Sequence, residues 1–157
     1  MDKFHFVLNG QPVCYEGEAD HRLLDILRRH FGLTSVKCGC REGACGACAC
    51  LINGTLVNSC LISIGSIIGD RVVTLEGYRE TERFKVIDTA FAEFSAVQCG
   101  FCTPGMIMAT EALLRSNPHP DEEAIRVGIS GNLCRCTGYN SIVRAIQRAA
   151  EEGKGLW

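Results

Sequence analysis

Eleven of the 157 residues are cysteine, and most of them fall in short, glycine-spaced groups. A chain with this many thiols must oxidise them, bury them or bind metal with them. The first residues, MDKFHFVLNG, carry Asp2 and Lys3 with no apolar run behind them, so neither a secretory leader nor a twin-arginine signal is expected. The most apolar stretch, LISIGSIIGD, is broken at Gly65 and Gly69, which argues against a membrane span. The expected location is cytoplasmic. In a reducing compartment a disulfide framework is disfavoured, and an odd number of thiols cannot pair completely. Metal ligation is the better expectation.

Cys40, Cys45 and Cys48 lie in GCREGACGAC (39–48) with the spacing C-x4-C-x2-C, and Cys60 follows twelve positions later. This is the spacing of a plant-type [2Fe–2S] site. Such a cluster needs a loop wound tightly round its inorganic sulfides, with backbone N–H groups turned inward to offset negative charge. Gly39, Gly43 and Gly46 permit that close approach. A zinc site is the alternative, but zinc favours paired C-x2-C knuckles. Cys50 runs into the apolar ACLI segment and Cys14 lies in an opposing hairpin, so both are expected in the core. Cys38 stays open, two residues from a favoured ligand.

A second set is split between QCGFCTPG (98–105), with Cys99 and Cys102, and GNLCRCTGY (131–139), with Cys134 and Cys136. Each pair directly precedes an expected helix. Antiparallel helices would bring the two loops together as a four-thiolate site, with helix N-termini favouring a negative group. Zinc and a C-G-F-C redox pair remain alternatives. The 31-residue gap is long for a zinc ribbon, and the βαβ setting of a thioredoxin-like motif is missing.

Around these loops the periodicity is mixed. Asn9-Gly10 and Asn53-Gly54 separate short apolar runs as hairpin turns do. Asp20 is expected to cap a helix from Arg22 to His30, and RVVTLEG (71–77) reads as a last strand. Beyond Gly77 the polar stretch 78–83 reads as a linker. Helices are then expected over 84–95, from a Thr103 cap and Pro104 to Pro118, from an Asp121 cap to Gly131, and from Asn140 or Ser141 to Gly153. The fold class is α+β, with residues 1–77 as one domain and 78–157 as an all-α second one.

The net charge of −2 gives no basic footprint for nucleic acid. His5, His21, His30 and His119 are scattered and fit structural or solvated roles, and no histidine pair of the Rieske kind lies in the cysteine loops. No nucleophile triad, phosphate loop or carboxylate pair stands out, so no catalytic residue is assigned.

With TSVKCGCREGACGAC (34–48), NSC (58–60), VQCGFCTPGMI (97–107) and SGNLCRCTGY (130–139) in this order, the chain closely resembles the small iron–sulfur subunit of the molybdenum hydroxylases, the xanthine dehydrogenase family. The resemblance covers nearly the whole chain. It implies a β-grasp, plant-type ferredoxin-like domain followed by a four-helix domain, and two [2Fe–2S] clusters. It assigns Cys40, Cys45, Cys48 and Cys60 to the first and Cys99, Cys102, Cys134 and Cys136 to the second. It further implies a large molybdopterin-binding subunit and a medium FAD-binding subunit in a heterotrimer that can dimerise. Electrons would run from molybdopterin through the helical-domain cluster and the β-grasp cluster to FAD. Gln98 and Cys136 are placed against the pterin. Arg41 stands where the family often has a small residue, and its charge is expected to raise the first cluster's potential. The alternatives are a stand-alone two-cluster ferredoxin and a zinc-stabilised interaction module. The substrate and the terminal acceptor are set by other subunits and are not legible here.

Overall fold

The computed structural model describes residues 1–157. It builds a five-stranded sheet first and a set of helices after it. Strands β1 (Asp2–Leu8) and β2 (Gln11–Gly17) form a hairpin across Asn9-Gly10, and β3 (Ala49–Ile52) and β4 (Thr55–Asn58) form another across Asn53-Gly54. All four turn residues take positive φ, as the tight hairpin turns require. The last strand, β5 (Arg71–Val73), lies between the hairpins, giving the order β2-β1-β5-β3-β4. It runs parallel to β1 and antiparallel to β3.

Along β1, Phe4, Phe6 and Leu8 are buried while Lys3 and His5 face outward, the alternation of a strand with one face on a core. Beneath them pack Leu23, Leu24, Ile26 and Leu27. The helix that carries these four differs from expectation. Helix α1 (Leu23–Asp25) is a single turn that widens into π form over Ile26–His30. Arg22, not Asp20, is its N-cap, with no side-chain cap. The chain there is tied across to another segment: the Leu23 amide donates to the Ile62 carbonyl at 2.8 Å, and Arg22 bridges Ser63.

Strand β5 also ends earlier than its apolar run suggests. The Asn9 carboxamide accepts from the Thr74 amide at 2.9 Å and donates to its hydroxyl at 3.0 Å, closing the strand. A helical turn, α2 (Leu75–Tyr78), follows. Tyr78 is therefore no linker residue. It is buried, and its hydroxyl donates to Glu111 Oε2 at 2.6 Å.

The four helices expected in the second half are present as α3 (Glu82–Glu93), α4 (Thr103–Ser116), α5 (Glu122–Gly128) and α6 (Asn140–Glu152). Thr81 caps α3 by accepting from the Phe84 amide, and Asp121 caps α5 by accepting from the Ala124 amide. Helix α4 starts one residue before expectation, with Cys102 as N-cap and Pro104 in its first turn. Ile87 and Phe91 of α3, Met106 and Leu114 of α4, and Ile142 and Ile146 of α6 fill the helical core. Leu51 of β3 belongs to that core, whereas its neighbour Cys50 faces the core under the sheet. One strand thus serves both layers. No helix is long and apolar enough to cross a membrane.

Candidate iron–sulfur centres

The loop from Lys37 to Cys48 has no regular secondary structure, so its shape is set by tethers. Arg28 Nη1 donates to the carbonyls of Thr34 and Val36 at 3.1 and 2.9 Å. Asn58 Nδ2 donates to the Gly43 carbonyl at 3.1 Å, and the Ser59 hydroxyl donates to the Cys48 carbonyl at 2.8 Å. Gly43 and Gly46 adopt φ of +78° and +69°, and a Cβ on Gly39 would fall 2.7 Å from Cys45 Sγ. The loop has therefore closed on its own sulfurs to a degree only glycine permits.

Two backbone amides, of Glu42 and Ala44, donate to Cys40 Sγ at 3.4 and 3.2 Å. These N–H groups, that of Glu42 first and then the Cys45 amide, pull the Cys40 thiol down to about 6. Burial, and then the adjoining Cys48 thiol, push Cys60 up to about 11, with Cys40 also close enough to contribute. Cys40 thus meets Cys45, and Cys48 meets Cys60, within one group of four.

The second group is assembled by loops that end at the N-termini of α4 and α6. Cys102 lies against Cys134, and Cys136 against Cys99. Burial raises Cys102 to about 12, helped by Cys134, and Cys99 raises Cys136. Burial also pushes Cys134 upward, but the Thr137 hydroxyl, which donates to its sulfur at 3.1 Å, leads the opposing hydrogen bonds that bring it down to about 7. The Cys134 amide in turn donates to the Tyr139 hydroxyl at 3.0 Å, and Tyr139 takes φ +71° to turn back over the loop. Each group therefore contains one thiol lowered toward the thiolate form that iron binds.

The donor set suits a two-iron cluster. Thiols meet in pairs, Cys40 with Cys45, Cys48 with Cys60, Cys102 with Cys134 and Cys99 with Cys136. In a [2Fe–2S] rhomb each tetrahedral iron takes two thiolates and shares two sulfides, which spreads four cysteines as two pairs. The remaining cysteines stand apart in role. Cys50 is fully buried, as expected, and that burial pushes it up to about 12; Cys14, expected in the core, is instead half-buried on the outward face of the β1–β2 hairpin, 3.9 Å from His5 Nε2; exposed Cys38 receives Arg41 Nη1 at 3.7 Å. Gln98, Cys99 and Cys136 are all exposed.

Thr137, Tyr139 and Asn132 were not singled out from sequence as functional residues. Only the TGY following Cys136 hinted at the first two. Asn132 Nδ2 donates to the Gly46 carbonyl at 3.1 Å across 86 residues of chain, a contact that no local pattern signals.

Comparison with known proteins agrees with this geometry. Residues 6–66 match the 2Fe-2S iron-sulfur cluster binding domain, and residues 74–147 match the [2Fe-2S] binding domain. The chain is 49% identical over 144 residues to the nicotinate dehydrogenase small FeS subunit of Eubacterium barkeri, covering 92% of each. It is 45% identical over 142 residues to the xanthine dehydrogenase iron-sulfur-binding subunit of Escherichia coli O157:H7, covering 88% of each. The solved aldehyde oxidoreductase of Desulfovibrio desulfuricans superimposes with a TM-score of 0.92 at 36% identity, over 99% of this chain and 17% of that one. An α+β chain with two [2Fe–2S] domains in this order is an electron-transfer component of an oxidoreductase, and it belongs to the small iron–sulfur subunits of the molybdenum hydroxylases, the xanthine dehydrogenase family.

Proposed function

We propose that Cys40, Cys45, Cys48 and Cys60 hold one [2Fe–2S] cluster, that Cys99, Cys102, Cys134 and Cys136 hold the other, and that the chain relays electrons between two partner subunits. The observation that carries this reading is the meeting of eight thiols as two groups of four, each with one sulfur that accepts from N–H or hydroxyl donors. The clusters supply one-electron redox chemistry. The protein's own residues set its terms: the Glu42 and Ala44 amides and the Thr137 hydroxyl offset negative charge at sulfur, favouring the reduced state.

Cys99 and Cys136 are exposed beside Gln98, whereas Cys48 and Cys60 are buried. Together with the family resemblance, this accessibility supports a helical end that receives electrons from a molybdopterin-binding large subunit, with Gln98 and Cys136 against the pterin. The sheet end passes them to an FAD-binding medium subunit. In support, this fold accounts for 17% of the larger aldehyde oxidoreductase chain and for nearly all of the small subunits it matches. Residues 1–77 and 78–157 are proposed as the two cluster domains of a heterotrimer.

The test is spectroscopic. In the anaerobically purified complex, Cys45→Ser should abolish or shift only one of two reduced-state EPR signals, and Cys102→Ser only the other. Cys14→Ser and Cys38→Ser should leave both intact. Preparations with zinc in place of iron and acid-labile sulfide would sink the assignment. A chain that purifies without flavin- and molybdopterin-containing partners would instead fit a diffusible ferredoxin.

A further inference from the structure

The largest cavity of the chain, about 910 Å³, lies away from both cysteine groups. It opens between the two Asn-Gly turns, strand β5 and the last turn of α4. Helix α4 starts at its Cys102 cap and runs 14 residues to Ser116, about 21 Å at the usual rise per residue. Strand β3 likewise leads from Ala49, next to Cys48, away to the turn at Asn53. The cavity therefore sits at the opposite pole from the sulfur-bearing loops.

Its charge is uneven. Arg71, Arg83 and Arg115 line it together with Glu111 and Glu82. Glu82 is paired with Lys85 at 2.6 Å. Glu111 is buried and fully engaged: Oε1 faces Arg83 and Arg115 at 3.1 Å each, and Oε2 accepts from Tyr78 and Trp157. No acidic side chain pairs with Arg71. Its neighbour Asp70 is outside the lining and accepts from Asn53 Nδ2 at 2.8 Å. Three guanidinium groups against the one carboxylate of Glu111 leave two positive charges without a counter-charge.

These groups are also held in place. Val73 packs on the helical core, so Arg71, two residues earlier on β5, stands on the same face of the sheet. Asn53 fixes the Arg71 backbone, accepting from its amide and donating to its carbonyl at 2.9 Å each. Arg115 is pinned through Nε by Glu111, and its Nη1 lies 2.9 Å from where a Cβ on Gly54 would fall. A guanidinium pinned at one edge keeps its other N–H groups for the oxygens of an anion.

We propose that this cavity binds a phosphate monoester, with its anionic head on Arg71 and Arg115 and its organic part over Leu51, Val73 and Leu156. A phosphate monoester carries close to two negative charges at neutral pH, which matches the charge left over. Small-ligand sites span roughly 300–1,000 Å³, so the cavity admits a phosphorylated metabolite and not the head group alone. The site is independent of the ligand assignment above, and binding makes and breaks no covalent bond.

The test is equilibrium dialysis of the intact, cluster-loaded complex against labelled glycerol 3-phosphate at constant ionic strength. Saturable uptake of one molecule per copy of this chain is expected. Arg71→Gln should weaken it about tenfold or more, for the loss of hydrogen bonds to a charged group. Arg71→Lys, which keeps the charge without the fork, should weaken it less. Both variants should keep both EPR signals, because Arg71 is exposed and makes no ion pair. Uptake that does not saturate, or equal uptake by Arg71→Gln, overturns the proposal. A second measurement needs no variant. In the unaltered complex, glycerol 3-phosphate should shield Arg71 and Arg115 from an arginine-directed dicarbonyl reagent, read by mass spectrometry of the digested chain, while glycerol shields neither. Equal modification with and without glycerol 3-phosphate, or shielding by glycerol, overturns the proposal as well.

Discussion

Arg41 sits beside the first cysteine group with φ +61°, a left-handed conformation that is uncommon outside glycine. Its guanidinium is held by both oxygens of Asp25, at 2.6 and 3.0 Å. The expectation of a free positive charge near the cluster thus becomes one of a nearly neutral pair. Arg41→Ala should strand the Asp25 carboxylate and lower the first centre's midpoint potential, while Asp25→Asn should strand the guanidinium and raise it. Each shift is expected on the order of tens of millivolts, for one charge acting through a protein-like dielectric. Redox titration followed by EPR would measure both, and the double variant should return close to the original value. The Arg41 hydrogen bonds also hold Asp25 below the ordinary carboxylate range. A lowered folded-state pKa means that the pair stabilises the fold at neutral pH and that this contribution disappears as pH falls through the lowered value. Asp25→Asn should therefore flatten the acid limb of the stability profile. At this scale the sequence was most legible in the grouping of cysteines, whose spacing already suggested the two sets that the fold brings together. It was silent on Asp25, sixteen residues away, because only folding makes the two neighbours.

Among the elements, those closed by their own residues were readable and those closed from afar were not. Both Asn-Gly hairpins and the Asp121 cap carry their turn and cap chemistry locally and were read from it. The early end of β5 and the start of α1 depend instead on Asn9 and Ile62, which reach them from elsewhere in the chain. Even Thr81 was placed in a linker, because its capping role shows only once α3 is known to begin at Glu82. Thr81→Ala should destabilise the helical half by about 1 kcal/mol through loss of that cap. Asp121→Ala should cost a similar amount, about 1 kcal/mol. Chemical denaturation of the cluster-loaded chain would read both, and no change in either would show that these termini are held by packing alone.

For the molecule as a whole, the helical half is tied together by Glu111. This buried carboxylate accepts from the Tyr78 hydroxyl at 2.6 Å and the Trp157 indole at 2.7 Å, and it pairs with Arg83 and Arg115, each at 3.1 Å. It gathers α2, α3, α4 and the last residue onto one side chain. Desolvation, reinforced by that carboxylate, raises the Tyr78 phenol well above its ordinary value, so the phenol stays a donor across the physiological range. Glu111→Ala would leave two guanidinium groups and two buried donors without their acceptor. A loss of about 3 kcal/mol is expected, near the lower end for breaking a buried ion pair because Arg83 and Arg115 are partly solvated. Thermal unfolding would show it, and a Glu111→Gln variant should recover part. None of this network was visible in the sequence, where residue 111 was one more polar position on a helix. Finally, the uneven covering of the two thiol groups gives the isolated chain a vulnerable pole: oxidants and chelators arriving from solvent meet exposed Cys99 and Cys136 before half-buried Cys40 and Cys45 and buried Cys48 and Cys60, so damage should begin at the helical end.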